Sequence, residues 1–252
     1  MAKGRKYHRR RRGRFAFLYK LLSVLLVCAV IIVALTMFFR LDTIEISGQE
    51  RYSQEEILAA SGLEAGDNLF FLNKYSVAER LLRELPYIQN VRINRRLPNA
   101  ILIQVTESEG VLAFVQDGSA WIVSPRGKIV EQRKPSEAKD IPVVDGVELL
   151  SPSLATPIAL AKDQQSRQSS LLALLAALEE AGKMNQVQAI HLGDPGRLEL
   201  EYKGRFTVLF RYEGDYARGL RSIDAVEERL QSNETGIIDL RYDDRAEFRP
   251  VK

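Results

Sequence analysis

The stretch Leu21–Phe39, LLSVLLVCAVIIVALTMFF, runs for nineteen residues without a charge. As a helix rising 1.5 Å per residue it covers roughly 28 Å, about the hydrocarbon thickness of a bilayer. The run is longer than the apolar core of a secretory signal. It ends in Thr36-Met37-Phe38-Phe39-Arg40 rather than in the small residues of a cleavage site. It therefore reads as a retained anchor: a span from Leu21 to Phe39 inside a membrane segment 15–40. Residues 1–40 hold ten Lys/Arg and no Asp or Glu. That asymmetry predicts a basic cytoplasmic tail, 1–14, and places 41–252 outside the cytoplasm. Within the tail, Tyr7 to Arg14 serves as a topology signal, or also touches anionic lipid head groups.

Beyond the span the balance reverses, with 26 basic against 33 acidic residues. The pI of 8.9 thus describes the tail. A nucleic-acid binder would carry its basic footprint on the folded part, so no nucleic-acid partner is expected. Cys28 is the one cysteine and lies inside the apolar run behind the bulky Val27. It reads as a small buried hydrophobe, not a lipid-attachment site, and no disulfide can form within the chain. A little over 200 residues remain, enough for one large or two small domains.

In 41–108, Leu41 to Ser47 alternates apolar and polar and stops at Gly48, a strand signature. Ser53-x-x-Glu56 is a capping box opening a helix with Ile57 and Leu58, ended by Gly62. Ser76-x-x-Glu79 reads as a second box. Its helix carries Ala78, Leu81, Leu82 and Leu85 on one face and ends at Pro86. Two strands follow, one with Val91 and Ile93 facing together and one over Ala100–Glu107, joined by a turn at Leu97-Pro98-Asn99. The predicted order is β-α-α-β-β, a helical layer on a three-stranded sheet.

In 109–252, strands are predicted at Val111–Val115, Ala120–Val123 and Lys128–Glu131, with a turn at Ser124-Pro125-Arg126-Gly127. Trp121 reads as a core or sheet-face residue. Gln132–Asp163 is loop-rich, holding Pro135, Pro142, Pro152 and Pro157. A helix over Arg167–Ala181 carries Leu171, Leu174, Leu175 and Leu178, and a strand over Val187–Leu192 follows. Alternation in Leu198–Tyr202 and Phe206–Phe210 predicts a hairpin. Tyr216–Leu230 has Leu220, Ile223, Val226 and Leu230 at helical spacing. A strand at Ile237–Tyr242, a tight connection and a last short strand complete the pattern.

Catalytic chemistry finds little support. The two histidines, His8 and His191, cannot build a metal cluster, and His191 reads as a sheet-face residue. Ser136-x-x-Lys139 lies in a Pro-flanked loop with no Lys-Thr-Gly after it, so it is read as chance. No glycine-rich phosphate loop is present. Asp243-Asp244 reads as a solvated turn and Asp239–Arg241 as a structural ion pair. No catalytic, cofactor-binding or metal-binding residue is assigned.

The series Ile44-x-Ile46-x-Gly48, Ala60-x-Gly62-Leu63-x-x-Gly66-x-x-Leu69-Phe70, Pro86-x-Ile88-x-x-Val91-x-Ile93-x-Arg95-x-x-Pro98 and Ile101-x-Ile103-x-Val105-x-Glu107 follows directly on the anchor. In that order and spacing it resembles the POTRA domain of the FtsQ/DivIB family of bacterial cell-division proteins. The tail Gly236-x-x-Asp239-Leu240-Arg241-Tyr242 extends the resemblance, which covers about 15–252. It implies an α+β protein: a single transmembrane helix, a POTRA domain over 41–108, and a second domain over 109–252 of antiparallel sheet with packed helices. Some Gram-positive members carry a further C-terminal segment that this sequence is expected to lack.

A last strand is expected at a sheet edge, where free main-chain groups can template another chain's strand. In Arg245–Arg249, Ala246 and Phe248 are expected on one side and Glu247 and Arg249 on the other. Two readings of these charges stand: they give a partner strand its register, or they protect the edge from aggregation. The resemblance favours the first. In that family the C-terminal edge binds a small single-span partner of the FtsB/DivIC type, which pairs with FtsL. Matched through Asp-Leu-Arg-Tyr, the implied contacts are Arg241, Tyr242, Asp244, Ala246 and Phe248. Pro250 stands where some relatives use a tryptophan. The implied role is a scaffold at the division septum that influences septal wall synthases indirectly. The rival readings are a POTRA protein that handles translocating polypeptides and a membrane-anchored wall enzyme.

Overall fold

The computed structural model describes residues 13–242 and 245–251. Helix α1 (Gly13–Phe38) opens it, and within it Phe17–Leu35 is long and apolar enough to cross a membrane, with none of that stretch buried against the protein. The helix ends one residue before the expected limit. Phe39 lies outside it and belongs to the next unit, because its carbonyl accepts the Leu69 N–H at 2.8 Å and its ring packs on that unit's core.

The first unit runs β1 (Thr43–Ser47), α2 (Gln54–Ser61), α3 (Lys74–Glu84), β2 (Ile88–Arg96) and β3 (Ala100–Glu107). Its sheet is ordered β1-β3-β2, with β1 parallel and β2 antiparallel to β3. Both halves of the Ser53–Glu56 capping box are present, at 3.1 and 2.8 Å. The second box is not formed. Asn73 caps α3, taking the Tyr75 and Ser76 amides, so Ser76 already lies inside the helix. The core-facing stripe accordingly centres on Val77 and Leu81, with Ala78 and Leu82 at its margin.

The second unit is one nine-stranded sheet: β4 (Leu112–Gln116), β5 (Ser119–Val123), β6 (Ile129–Arg133), β7 (Val143–Asp145), β8 (Val187–His191), β9 (Leu198–Tyr202), β10 (Phe206–Phe210), β11 (Gly236–Asp239) and β12 (Glu247–Pro250). Its spatial order is β12-β11-β10-β9-β8-β7-β4-β5-β6. The expected antiparallel sheet is in fact mixed: β4–β7, β7–β8 and β10–β11 are parallel. Parallel neighbours need a crossover. Helices α4 (Gln165–Glu180) and α5 (Tyr216–Glu227) supply it for β7–β8 and β10–β11. The expected loop over 132–163 hides β7, which joins the two halves of the sheet. Three residues between Pro142 and Gly146 are too few to show a period.

Alternation along each strand sorts the core. Leu112, Phe114, Val123, Ile129, Leu198, Leu200, Tyr202, Phe206 and Val208 face the leucine stripe of α4 and the Leu220–Ile223 face of α5. Trp121 packs at the margin of this core. The alternate residues Ala113, Ala120, Ile122 and Val130 face away, and Tyr87 of the first unit covers them. There the two units lock together. Lys128 Nζ donates to the Leu82 and Ile88 carbonyls, both at 2.9 Å, and Tyr87 donates its hydroxyl to Glu131. Burial, then the Glu131 carboxylate, push the Tyr87 phenol up to about 12, so it stays protonated.

Candidate functional site

At the opposite end of the sheet lies β12. On one side it pairs with β11 in the register Asp239↔Glu247, Ile238↔Phe248 and Ile237↔Arg249. The Val251 N–H donates to Thr235 at 3.0 Å. That bond sets the phase of the ladder: main-chain groups of 247, 249 and 251 point toward β11, and those of 246, 248 and 250 point outward. Among the described residues no strand occupies the outer side. Pro250 has no N–H, so Ala246 and Phe248 hold the outward donors at this edge.

The side chains implied by resemblance divide. Phe248 is turned into the protein, its ring edge-on to Phe206 at 6.3 Å. What it can offer a partner is its outer main chain. Arg241 grips Asp239 with two bonds, 2.9 and 2.6 Å, and the Asp239 carboxylate is fully buried. Arg249 stands 3.6 Å from the same carboxylate. The Arg241 hydrogen bonds hold the Asp239 carboxyl below its ordinary value against the opposing effect of burial. The ion pair is structural, and it fixes where the chain leaves β11. Tyr242 is 47% exposed, and its ring lies 5.9 Å from the Arg241 guanidinium and 4.8 Å from that of Arg245. Ala246 is exposed. Asp244, with Asp243, lies outside the described residues.

Sequence reading did not anticipate the cleft beside this edge. It has a volume of about 150 Å³ and is lined by Arg218 and Gly219 of α5, Phe210 of β10, and Leu240, Tyr242 and Ala246. A Cβ at Gly219 would come within 2.5 Å of the Phe210 ring, so glycine lets α5 lie close against β10. Asp215 caps α5 by accepting the Arg218 N–H at 2.9 Å. Asp215, Arg218 and Ser222 form a polar stripe at helical spacing. That stripe was the legible signal, but an exposed polar helix face is too common to single out.

Elsewhere the open sheet face is polar. His191 lies 2.9 Å from Asp145 and 3.3 Å from Glu201. Burial would lower its pKa, but the two carboxylates outweigh that and hold it above the usual histidine value. Among the described residues no group of three or more His, Cys, Asp or Glu side chains is placed to hold a metal ion.

The family model "POTRA domain, FtsQ-type" matches residues 39–108, and "Cell division protein FtsQ/DivIB, C-terminal" matches 113–241. The cell division protein FtsQ of Geotalea daltonii is 26% identical over 221 residues, covering 85% of this chain and 77% of that protein. The cell division protein DivIB of Clostridium acetobutylicum is 23% identical over 217 residues, covering 86% and 85%. A solved structure of the major extracytoplasmic domain of DivIB from Geobacillus stearothermophilus matches at 15% identity, with a TM-score of 0.30, over 51% of this chain and 98% of that one. With both units matched by its family models, the chain belongs to the FtsQ/DivIB family of cell division proteins.

Proposed function

We propose that this cell-division protein is a non-catalytic, single-pass scaffold whose β12 edge binds the extracytoplasmic part of a single-span FtsB/DivIC-type partner. That partner pairs with an FtsL-type protein at the septum. In this reading the N-terminus is cytoplasmic, residues 41–252 are extracytoplasmic, and the pair held here governs when septal wall synthases act. The observation that carries it is the edge itself: outward main-chain groups at Ala246 and Phe248 beside a cleft with an exposed tyrosine. A strand added there gains main-chain hydrogen bonds, and its side chains gain register from the cleft and the Arg245–Glu247–Arg249 charges.

The test is binding of the full chain, in nanodiscs, to the ectodomain of a DivIC/FtsL-type pair. An Ala246→Pro variant removes one outward N–H while leaving the β11 ladder its own donors. Affinity is expected to fall at least about tenfold with an unchanged circular dichroism spectrum, since a tenfold loss corresponds to about 1.4 kcal/mol. Undiminished binding by Ala246→Pro and by a chain ending at Tyr242 would move the site to the first unit. Absence of binding by the wild-type chain would favour the polypeptide-handling reading.

A further inference from the structure

The segment between α1 and the first unit is short and tied down. Only Phe39–Asp42 separates the helix end from β1. The Leu41 N–H donates to Asp67 at 2.8 Å, the Gly66 N–H to Leu41 at 2.8 Å, and Asn68 Nδ2 to the Leu35 carbonyl at 3.1 Å, inside the helix itself. The loop 66–69 is thus fastened to the last turn of α1, and the unit cannot swing freely on a tether.

That loop continues into two large apolar side chains that the protein leaves uncovered. Phe70 is 56% and Phe71 65% exposed. They extend an unbroken series of ring contacts from the helix end: Phe38–Phe39 at 5.4 Å, Phe39–Phe70 at 6.4 Å and Phe70–Phe71 at 5.8 Å. The β2–β3 turn lies beside the same connection, its Asn99 carbonyl accepting the Asp42 N–H at 2.8 Å, and it carries the exposed Leu97. An exposed apolar patch at the foot of a membrane helix calls for an apolar or interfacial cover. Aromatic rings are favoured where hydrocarbon meets water.

We infer that Phe70 and Phe71, together with Leu97 of the β2–β3 turn, form a membrane-docking rim that seats the first unit on the bilayer surface where α1 emerges. The occupant is the lipid interface, because the rim is continuous with the helix end and fastened at its depth. A docked rim fixes the tilt of the first unit, and through the Lys128 and Tyr87 joint it fixes the direction in which the nine-stranded sheet leaves the membrane. The inference rests on α1 spanning the membrane, and the experiment separates the two.

The full chain is reconstituted into phosphatidylethanolamine/phosphatidylglycerol vesicles. In the wild type, Cys28 reports insertion: it should resist a water-soluble maleimide until detergent is added. In a Cys28→Ala background, Phe71→Cys carries an environment-sensitive fluorophore, with Glu148→Cys on the second unit as the water-exposed comparison. The Phe71→Cys label should be blue-shifted, quenched severalfold more by nitroxide lipids than the Glu148→Cys label, and shielded from iodide. A matching label at Leu97→Cys should behave likewise and turn iodide-accessible when Phe70→Ser and Phe71→Ser are added. A protected Cys28 with a Phe71→Cys label as iodide-accessible as that at Glu148→Cys overturns the inference and leaves the span standing. A Cys28 that reacts without detergent overturns both.

Discussion

The two edges of the nine-stranded sheet are treated in opposite ways. At the start of β6 the chain covers its own edge. The Ile129 N–H donates to Thr156 and its carbonyl accepts from Ala155, at 2.8 and 2.9 Å, while Ile158 donates to Gly127 at 2.7 Å. Tyr87 of the first unit, with Tyr52 at its margin, then packs on the adjacent sheet face. At β12 the outer main-chain groups meet no strand among the described residues, and the neighbouring face is charged. An exposed strand edge is a hazard that proteins ordinarily cover or charge. One edge is thus covered at its start and the other left beside a cleft and an exposed tyrosine, which the proposed function would make a stability end and a binding end.

The largest test of that division is at the closed end. Ile122 is buried between the sheet and the first unit. Ile122→Ala should cost about 2–4 kcal/mol in urea unfolding, with no loss of partner affinity once the protein is folded. An equal loss of affinity would mean that the two ends are not separable.

Asp239→Asn strikes the strand that supports the open edge. Removing a buried charge that Arg241 grips should cost about 1–3 kcal/mol. The carboxyl is held below its ordinary value in the folded state, so its contribution is complete above that value. It is lost as pH falls through the folded pKa. Acid denaturation curves should therefore lose this component in Asp239→Asn. Persistence of the full acid sensitivity would place it elsewhere.

Tyr242→Ala should leave unfolding within about 0.5 kcal/mol of wild type, as for an exposed residue. Its affinity for the partner pair should drop about tenfold by calorimetry. A stability loss without an affinity loss would make the cleft an ordinary surface.

The smallest effect is at His191. Its folded pKa is raised, so its contribution is full below the ordinary histidine value and lost as pH rises through the folded one. His191→Asn should flatten a shallow decline in thermal midpoint across that interval without changing partner affinity.

Most elements were legible because their signals are local. The capping box at Ser53, the leucine stripe of α4 and the alternation in β3 each reside in one short window. The α3 cap was misplaced because Ser76-x-x-Glu79 fits the capping-box pattern while Asn73, followed three residues later by Ser76, does not, and only the amide geometry shows that Asn73 is the cap. The edge segment was legible as a strand. The cleft beside it was not, since Phe210, Gly219 and Tyr242 converge from three separate elements.

By itself the sequence determined the apolar span and most of the helices and strands, since charge exclusion and hydrophobic period depend on neighbours within a helix turn or a strand. Tertiary structure alone decided that β7 unites the sheet, that its pairings are mixed, that Phe248 turns inward, and that the start of β6 is covered while the outer side of β12 meets no strand among the described residues. Those outcomes depend on which distant main-chain groups meet, and hydrogen-bond partners across a sheet leave no period in the chain that supplies them.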